Sequence, residues 1–171
     1  IKSDDFQKYE TLSSREQKRI KNPAKIEGSI VLSCECVSGY IIFDAHAILR
    51  KERSWLSSSI PPKTKDVILN TRQREFDIIE WHSRLLEVEL NKKQLFCNKK
   101  SIELAWSELS AMNKQCLDIR KEYTLATAWN PSKGGLKNKS IQTKWNNKIA
   151  KKLITTQKKN TKQILKINKK I

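Results

Sequence analysis

The sequence has few of the residues that build catalytic loops. Its 171 residues include only four glycines, four prolines and two histidines. Loops that cradle phosphates or shape catalytic turns use glycine to reach backbone angles that other residues avoid. The low glycine count therefore argues against a nucleotide-binding site, and we expect neither enzymatic activity nor a cofactor. No run of eighteen apolar residues is present, so we also expect no transmembrane helix.

Acidic residues are missing from the last part of the chain. Residues 1–60 and residues 61–130 each carry a net charge of +2. Residues 131–171 contain thirteen lysines, no acidic residue and no arginine, and account for +13 of the total charge of +17. A nearly neutral body with a cationic extension predicts an acidic partner.

The cysteines do not resemble the framework of a secreted, disulfide-stapled domain. Cys34, Cys36, Cys97 and Cys116 occur in a lysine-rich chain, and reduced thiols in an intracellular compartment are the simpler interpretation. Cys97 and Cys116 fall on apolar helical positions. Cys34 and Cys36 together with His46 fall short of the four ligands of a structural zinc site. We therefore predict core thiols and no metal.

The chain begins at Ile1, and its first residues resemble neither a signal peptide nor a transit peptide. A trimmed or untraced end and a removed organelle presequence are the two explanations for the missing methionine. We expect the mitochondrial matrix as the compartment, with the cytoplasm or cytoskeleton and the nucleus as alternatives.

Composition divides the chain into four parts. Residues 1–25 form a polar N-terminal arm, and residues 26–60 form a small mixed element. Residues 61–130 form a helical body, and residues 131–171 form a lysine-rich C-terminal extension. The segment SSSIPPK, residues 57–63, separates the second part from the third because its two prolines bar helix continuation.

A small β element is predicted near residues 29–44. Residues 30–32 and 40–43 are β-branched, aromatic or otherwise apolar, with Ser38-Gly39 between them. This pattern favours a β-hairpin that turns at Ser38-Gly39 and leads into a helix over residues 44–56. Two short helices are the alternative, because short apolar runs do not distinguish the two structures.

Long helices are predicted over residues 64–129, where residues 66–129 contain neither proline nor glycine. Two adjoining apolar stripes follow steps of three and four residues and make a face that is wide enough for two neighbours. A single helix would be ~90 Å long. A hairpin near residues 91–100 is favoured, because a single chain must cover its own apolar faces. The residues expected to contact partner proteins are Trp81, Leu85, Trp106, Leu109 and Trp129.

The C-terminal extension reads as a basic amphipathic helix. Ile141, Trp145, Ile149 and Leu153 recur at steps of four, which puts them on one helix face. Lysine can bind nucleic acid phosphates with little demand on sequence, and the missing arginine argues against base-specific readout. The predicted nucleic-acid-binding residues are Lys144, Trp145, Lys148, Lys151, Lys152, Lys158 and Lys159, with Trp145 expected to stack on a base or to insert in an irregular RNA pocket.

Three other interpretations of the extension stay open. It could bind a negatively charged protein lattice such as a microtubule, or lie on an anionic membrane. It could also be a disordered tail that only increases solubility.

The sequence as a whole predicts a mostly α protein. It would have long helices or a helical hairpin at about residues 64–129, a small β-hairpin or mixed element near residues 29–44, and a basic C-terminal helix. We expect a non-catalytic structural subunit of a ribonucleoprotein, with an organellar ribosome as the leading example, in contact with rRNA and neighbouring subunits. The alternative is a coiled-coil-like cytoskeletal or scaffold protein of axonemal, microtubule-associated or kinetochore type, with tubulin or helical proteins as partners.

Overall fold

The fold was analysed in a computed structural model, which describes residues 2–8, 24–58, 60–127, 129–130, 135–136 and 139–168. Side chains are described at residues 2–7, 24–58, 60–62, 64–127, 139–157 and 159. The strands are β1 Gln7–Lys8, β2 Ala24–Lys25, β3 Gly28–Val37, β4 Tyr40–Leu49, β5 Trp55–Leu56, β6 Trp129–Asn130 and β7 Gly135–Leu136. The helices are α1 Pro62–Lys92, α2 Lys99–Ala126 and α3 Lys139–Asn168. The prediction of a mostly α fold with a small β element is confirmed.

The longest β structure is the hairpin of β3 and β4. Its strands pair antiparallel, residue for residue, from Gly28 opposite Leu49 to Val37 opposite Tyr40. Ser38 and Gly39 both have positive φ, 50° and 82°. Two consecutive left-handed residues give the turn whose twist matches that of the flanking strands. The hairpin therefore turns at the predicted dipeptide.

The predicted helix over residues 44–56 is wrong. Strand β4 continues to Leu49, a 3-10 turn follows at Lys51–Arg53, and β5 comes after it. Alternate residues of β4 are buried, with Ile41 4%, Phe43 2% and Ala45 3% exposed. A period of two buries one face of a strand, and pairing along the full length of β3 outweighs the local helical preference of this segment.

A small sheet lies beside the hairpin. Its strand order is β1-β5-β2, with β1 parallel and β2 antiparallel to β5. This part of the fold includes residues 2–8 and Ala24–Lys25, which the sequence assigned to the polar arm. Residues 9–23 lie outside the described residues. This part of the fold has an apolar cluster of its own, which consists of Phe6, Ala24, Ile26, Leu56, Ile60 and Ile68.

Helix α1 is the central element. It begins at Pro62, where a proline is tolerated because the first amides of a helix have no partner within the helix. The hairpin, α2 and α3 all pack on it. Ile78, Leu86 and Leu90 have no exposed surface. Burial around most of its circumference explains why the sequence shows two adjoining apolar stripes instead of one.

Side chains of α1 also close the free edge of β4. Asn91 Oδ1 accepts a hydrogen bond from the Phe43 amide at 2.9 Å, and Asn91 Nδ2 donates to the Phe43 carbonyl at 2.8 Å. The Ala47 amide donates to Glu80 at 3.4 Å. These contacts replace the hydrogen bonds that a further strand would make.

The chain leaves the helical conformation between α1 and α2. Lys93 caps α1, Gln94 has a φ of 50°, and the Asn98 side chain accepts a hydrogen bond from the Ser101 amide at the start of α2. Lys93 contacts Glu108 at 2.5 Å, and the Tyr123 hydroxyl lies 3.2 Å from the Thr71 carbonyl oxygen. The two helices therefore run antiparallel.

The predicted state of two cysteines is wrong. Cys36 and Cys97 form a disulfide with a Cα–Cα distance of 6.0 Å, which joins the hairpin to the connection between α1 and α2. Cys97 does not lie on a helical face, because the chain leaves α1 at Lys92 and α2 begins only at Lys99. Cys116 is buried as predicted, and burial raises the pKa of its thiol to about 11. Cys34 is exposed.

Candidate nucleic-acid interface

Helix α3 is attached to the body along one side. Trp145 is 8% exposed, Ile149 has no exposed surface, and Thr156 is 5% exposed. The ring of Trp145 packs edge-on against Tyr123 of α2, with 5.6 Å between the ring centroids. Trp145 was predicted to stack on a base, but its indole is covered within the core and is not part of the exposed surface.

A buried hydrogen-bond network fixes the start of α3. Gln142 Nε2 donates to the Tyr123 hydroxyl and to Asn146 Oδ1, both at 2.8 Å, and the Tyr123 hydroxyl donates to the Thr71 carbonyl at 3.2 Å. Burial raises the pKa of Tyr123, so the hydroxyl stays protonated as this network requires. The network joins all three helices at one point.

The flank of α3 next to this buried side carries lysines, and we call it the lysine face. Lys144, Lys148, Lys151, Lys152 and Lys159 are all exposed. At 3.6 residues per turn they fall within an arc of roughly 100°, and Lys144 and Lys159 are about 22 Å apart along the helix. The side chain of Lys158 lies outside the described residues. The five exposed lysines are among the residues that the sequence predicts to bind nucleic acid.

Two of these lysines lie over aromatic rings. Lys148 Nζ is 4.2 Å from the ring centroid of Trp145, and Lys152 Nζ is 5.5 Å from that of Trp81. The rings attract the ammonium groups and hold their aliphatic stems against the helix. None of the five lysines forms an ion pair with another described side chain. Their charge is therefore available to an external anion.

The residues predicted to contact partner proteins are divided between core and surface. Trp81 and Leu109 are buried, at 9% and 8% exposure, and Leu85 is partly buried. Trp106 is 61% exposed on α2. The side chain of Trp129 lies outside the described residues. Trp106 is therefore the member of this group that is open to a partner.

One exposed surface was missed by the sequence analysis. Tyr40 and Phe96 are 43% and 61% exposed and stack on each other where the hairpin meets the connection between α1 and α2. The available signal was an aromatic residue between two lysine pairs in NKKQLFCNKK, residues 91–100. That segment was interpreted only as a helix connection.

The described side chains form no cluster of three or more histidine, cysteine or acidic residues that could hold a metal ion. His82 is buried, and its Nδ1 donates to the Ile78 carbonyl at 2.7 Å. No helix among the described residues combines the length and apolar character needed to cross a bilayer. Comparisons with protein-family models, curated proteins and solved structures find no match to this chain.

Proposed function

We propose that the chain is a non-catalytic RNA-binding subunit of a ribonucleoprotein, and that the lysine face of α3 contacts the phosphate backbone. The observation that carries this proposal is the segregation of charge on one helix. The apolar side of α3 is used to attach it to the body, and the five exposed lysines of the lysine face form no ion pair with another described side chain. Phosphates release counterions when lysines approach, which gives affinity without base recognition.

In this proposal the parts of the chain have separate tasks. Helices α1 and α2 act as a helical hairpin that supports the basic α3. Trp106 would contact a neighbouring protein subunit, and an organellar ribosome is the leading assembly of this kind.

The test compares two charge variants of equal net charge. One replaces Lys144, Lys148, Lys151 and Lys152 by glutamine. The matched control replaces four exposed lysines outside α3 by glutamine, namely Lys2, Lys51, Lys114 and Lys121. Filter binding to a structured RNA hairpin at 100 mM salt should weaken about a hundredfold or more for the α3 variant. The control should stay within about threefold of the wild-type chain, because its four lysines lie outside the lysine face. The loss of net charge is the same in both variants, so any larger weakening of the α3 variant comes from the position of its lysines. Equal weakening in both variants would contradict a defined phosphate-binding face.

The exposure of Trp106 supports a second candidate. A helical scaffold protein would use an exposed tryptophan on α2 to bind a partner helix or a microtubule. In that case microtubule or protein binding would be lost in Trp106→Ser and kept in the α3 charge variant.

A further inference from the structure

The aromatic pair of Tyr40 and Phe96 has the geometry of a stacking surface. The ring centroids are 4.9 Å apart and the ring planes are inclined by 28°. Both side chains are well exposed, Phe96 at 61%. Because most of the Phe96 side chain is exposed, the stacked pair leaves aromatic surface open to a further planar group.

This pair is held by the backbone around it. The Ile41 amide donates to the Leu95 carbonyl at 2.8 Å, and the Cys97 amide donates to the Gly39 carbonyl at 3.0 Å. The disulfide of Cys36 and Cys97 adds a covalent link at the same point. The rings are therefore presented by a rigid junction, which lowers the entropy cost of stacking a ligand on them.

Positive charge surrounds Phe96 in sequence. Lys92, Lys93, Lys99 and Lys100 are all exposed, and residues 90–102 contain no acidic residue. Lys93 pairs with Glu108 at 2.5 Å and Lys99 with Glu103 at 3.8 Å. Lys92 and Lys100 have no ion-pair partner among the described side chains.

Helix α3 runs toward this end of the molecule. Lys152 lies over Trp81, and Gln157 accepts a hydrogen bond from Arg84 at 3.0 Å. Later residues of α3 therefore lie beside later residues of α1, and the two helices run parallel. Because α1 ends at Lys92, α3 extends toward the connection that carries Phe96.

We propose that Tyr40 and Phe96 form a binding site for an unpaired base of single-stranded RNA, with Lys92 and Lys100 on the flanking phosphates. The proposal rests on the proposed RNA-binding function and adds a preference for single-stranded segments. Every base has a π-face, so stacking on exposed aromatic rings beside cations binds single strands with little dependence on sequence. A paired base within a duplex cannot reach such a ring.

The test uses the full chain and two labelled probes, a twelve-nucleotide oligouridylate and a blunt RNA duplex. Phe96→Leu keeps an apolar side chain but removes the π-face, and Phe96→Tyr restores it. Trp106→Leu is the matched control, because Trp106 is also 61% exposed but is not part of the aromatic pair. Anisotropy titrations should show about five- to a hundredfold weaker oligouridylate binding for Phe96→Leu. The affinity of Phe96→Leu for the duplex should stay near that of the wild-type chain. The affinities of Phe96→Tyr and Trp106→Leu for oligouridylate should also stay near wild type.

The outcomes separate this site from the proposed function. If Phe96→Leu binds oligouridylate normally while the α3 charge variant does not, the stacking site is overturned and the phosphate-binding face stands. If the wild-type chain binds neither probe at 50 mM salt, both are overturned.

A second measurement uses the unsubstituted chain and does not depend on the folding of a variant. Oligouridylate that contains 5-iodouridine should photo-crosslink to Phe96 or Tyr40, as mapped by mass spectrometry. Crosslinks confined to other residues would overturn the stacking site.

Discussion

Asn91 shows how a single residue decides the structure around it. The side-chain amide of Asn91 forms hydrogen bonds with both the backbone N–H and the backbone carbonyl of Phe43, at the edge of β4 that does not pair with β3. A two-stranded hairpin is marginal alone, and this contact links it to the central helix. Asn91 is 4% exposed, so water cannot replace it.

Replacement of Asn91 by alanine should lower the free energy of unfolding by about 2–4 kcal/mol, because a buried donor and a buried acceptor lose their partners. Urea unfolding followed by circular dichroism measures this change. The control is Asn113→Ala on the exposed face of α2, which should change stability by less than about 0.5 kcal/mol. A similar small change for both variants would show that the hairpin does not depend on Asn91.

His82 makes stability depend on pH. Burial lowers its pKa below the ordinary value of 6.5, while the hydrogen bond to the Ile78 carbonyl acts in the opposite direction. In the window between the lowered folded pKa and 6.5, the unfolded chain binds more protons than the folded chain. Stability is therefore complete above pH 6.5 and falls as the pH drops below it.

The thermal unfolding temperature of the wild-type chain should fall between pH 7.5 and pH 5.5. His82→Gln should reduce the slope of the unfolding temperature against pH. The variant needs comparison at matched pH, since it also loses packing against Trp81. An unchanged slope in His82→Gln would assign the pH dependence to other groups.

At the scale of elements, the disulfide joins the hairpin to the connection between α1 and α2. Cys36 and Cys97 are 61 residues apart in sequence, so the cross-link closes a long loop in the unfolded chain. A double variant, Cys36→Ser with Cys97→Ser, should be less stable by about 2–4 kcal/mol. Urea unfolding in the absence of reductant measures the difference, and Cys34→Ser serves as the control. If a reducing agent leaves the wild-type midpoint unchanged, the disulfide contributes nothing to stability.

The sequence predicted those elements that local chemistry determines. The positive φ angles of Ser38 and Gly39 require a turn, and the apolar spacing of α1 and α3 requires helices with a buried side. The predicted helix at residues 44–56 failed because β4 pairs with β3 as far as Leu49 and also bonds to Asn91, which lies far along the chain; the local sequence of residues 44–56 shows neither contact.

The candidate site was predicted in part for the same reason. The lysines of α3 are exposed because charged side chains remain in water whatever the fold. Trp145 lies on the apolar side of that helix, and sequence spacing could not show whether α1 and α2 or a base covers it. The pairing of Tyr40 with Phe96 depends on tertiary contact between distant segments, and no local pattern predicts it.

At the scale of the whole molecule, the positive charge is concentrated in the C-terminal part of the chain. The hairpin, residues 28–49, contains no lysine or arginine, whereas residues 131–171 hold thirteen lysines. A net charge of +17 gives an acidic partner a strong and salt-sensitive attraction. Trp106 is exposed on α2, outside the lysine face, and can contact protein at the same time.

The most direct test of this account is the salt dependence of binding by the wild-type chain, measured in parallel with structured RNA and with microtubules. If about five lysines contact phosphates, the logarithm of the RNA association constant should fall against that of salt concentration with a slope of about −4. Binding should then weaken by roughly two to three decades between 50 and 200 mM salt. RNA binding that is weak at every salt concentration, beside tight microtubule binding, would contradict the account and favour a scaffold protein.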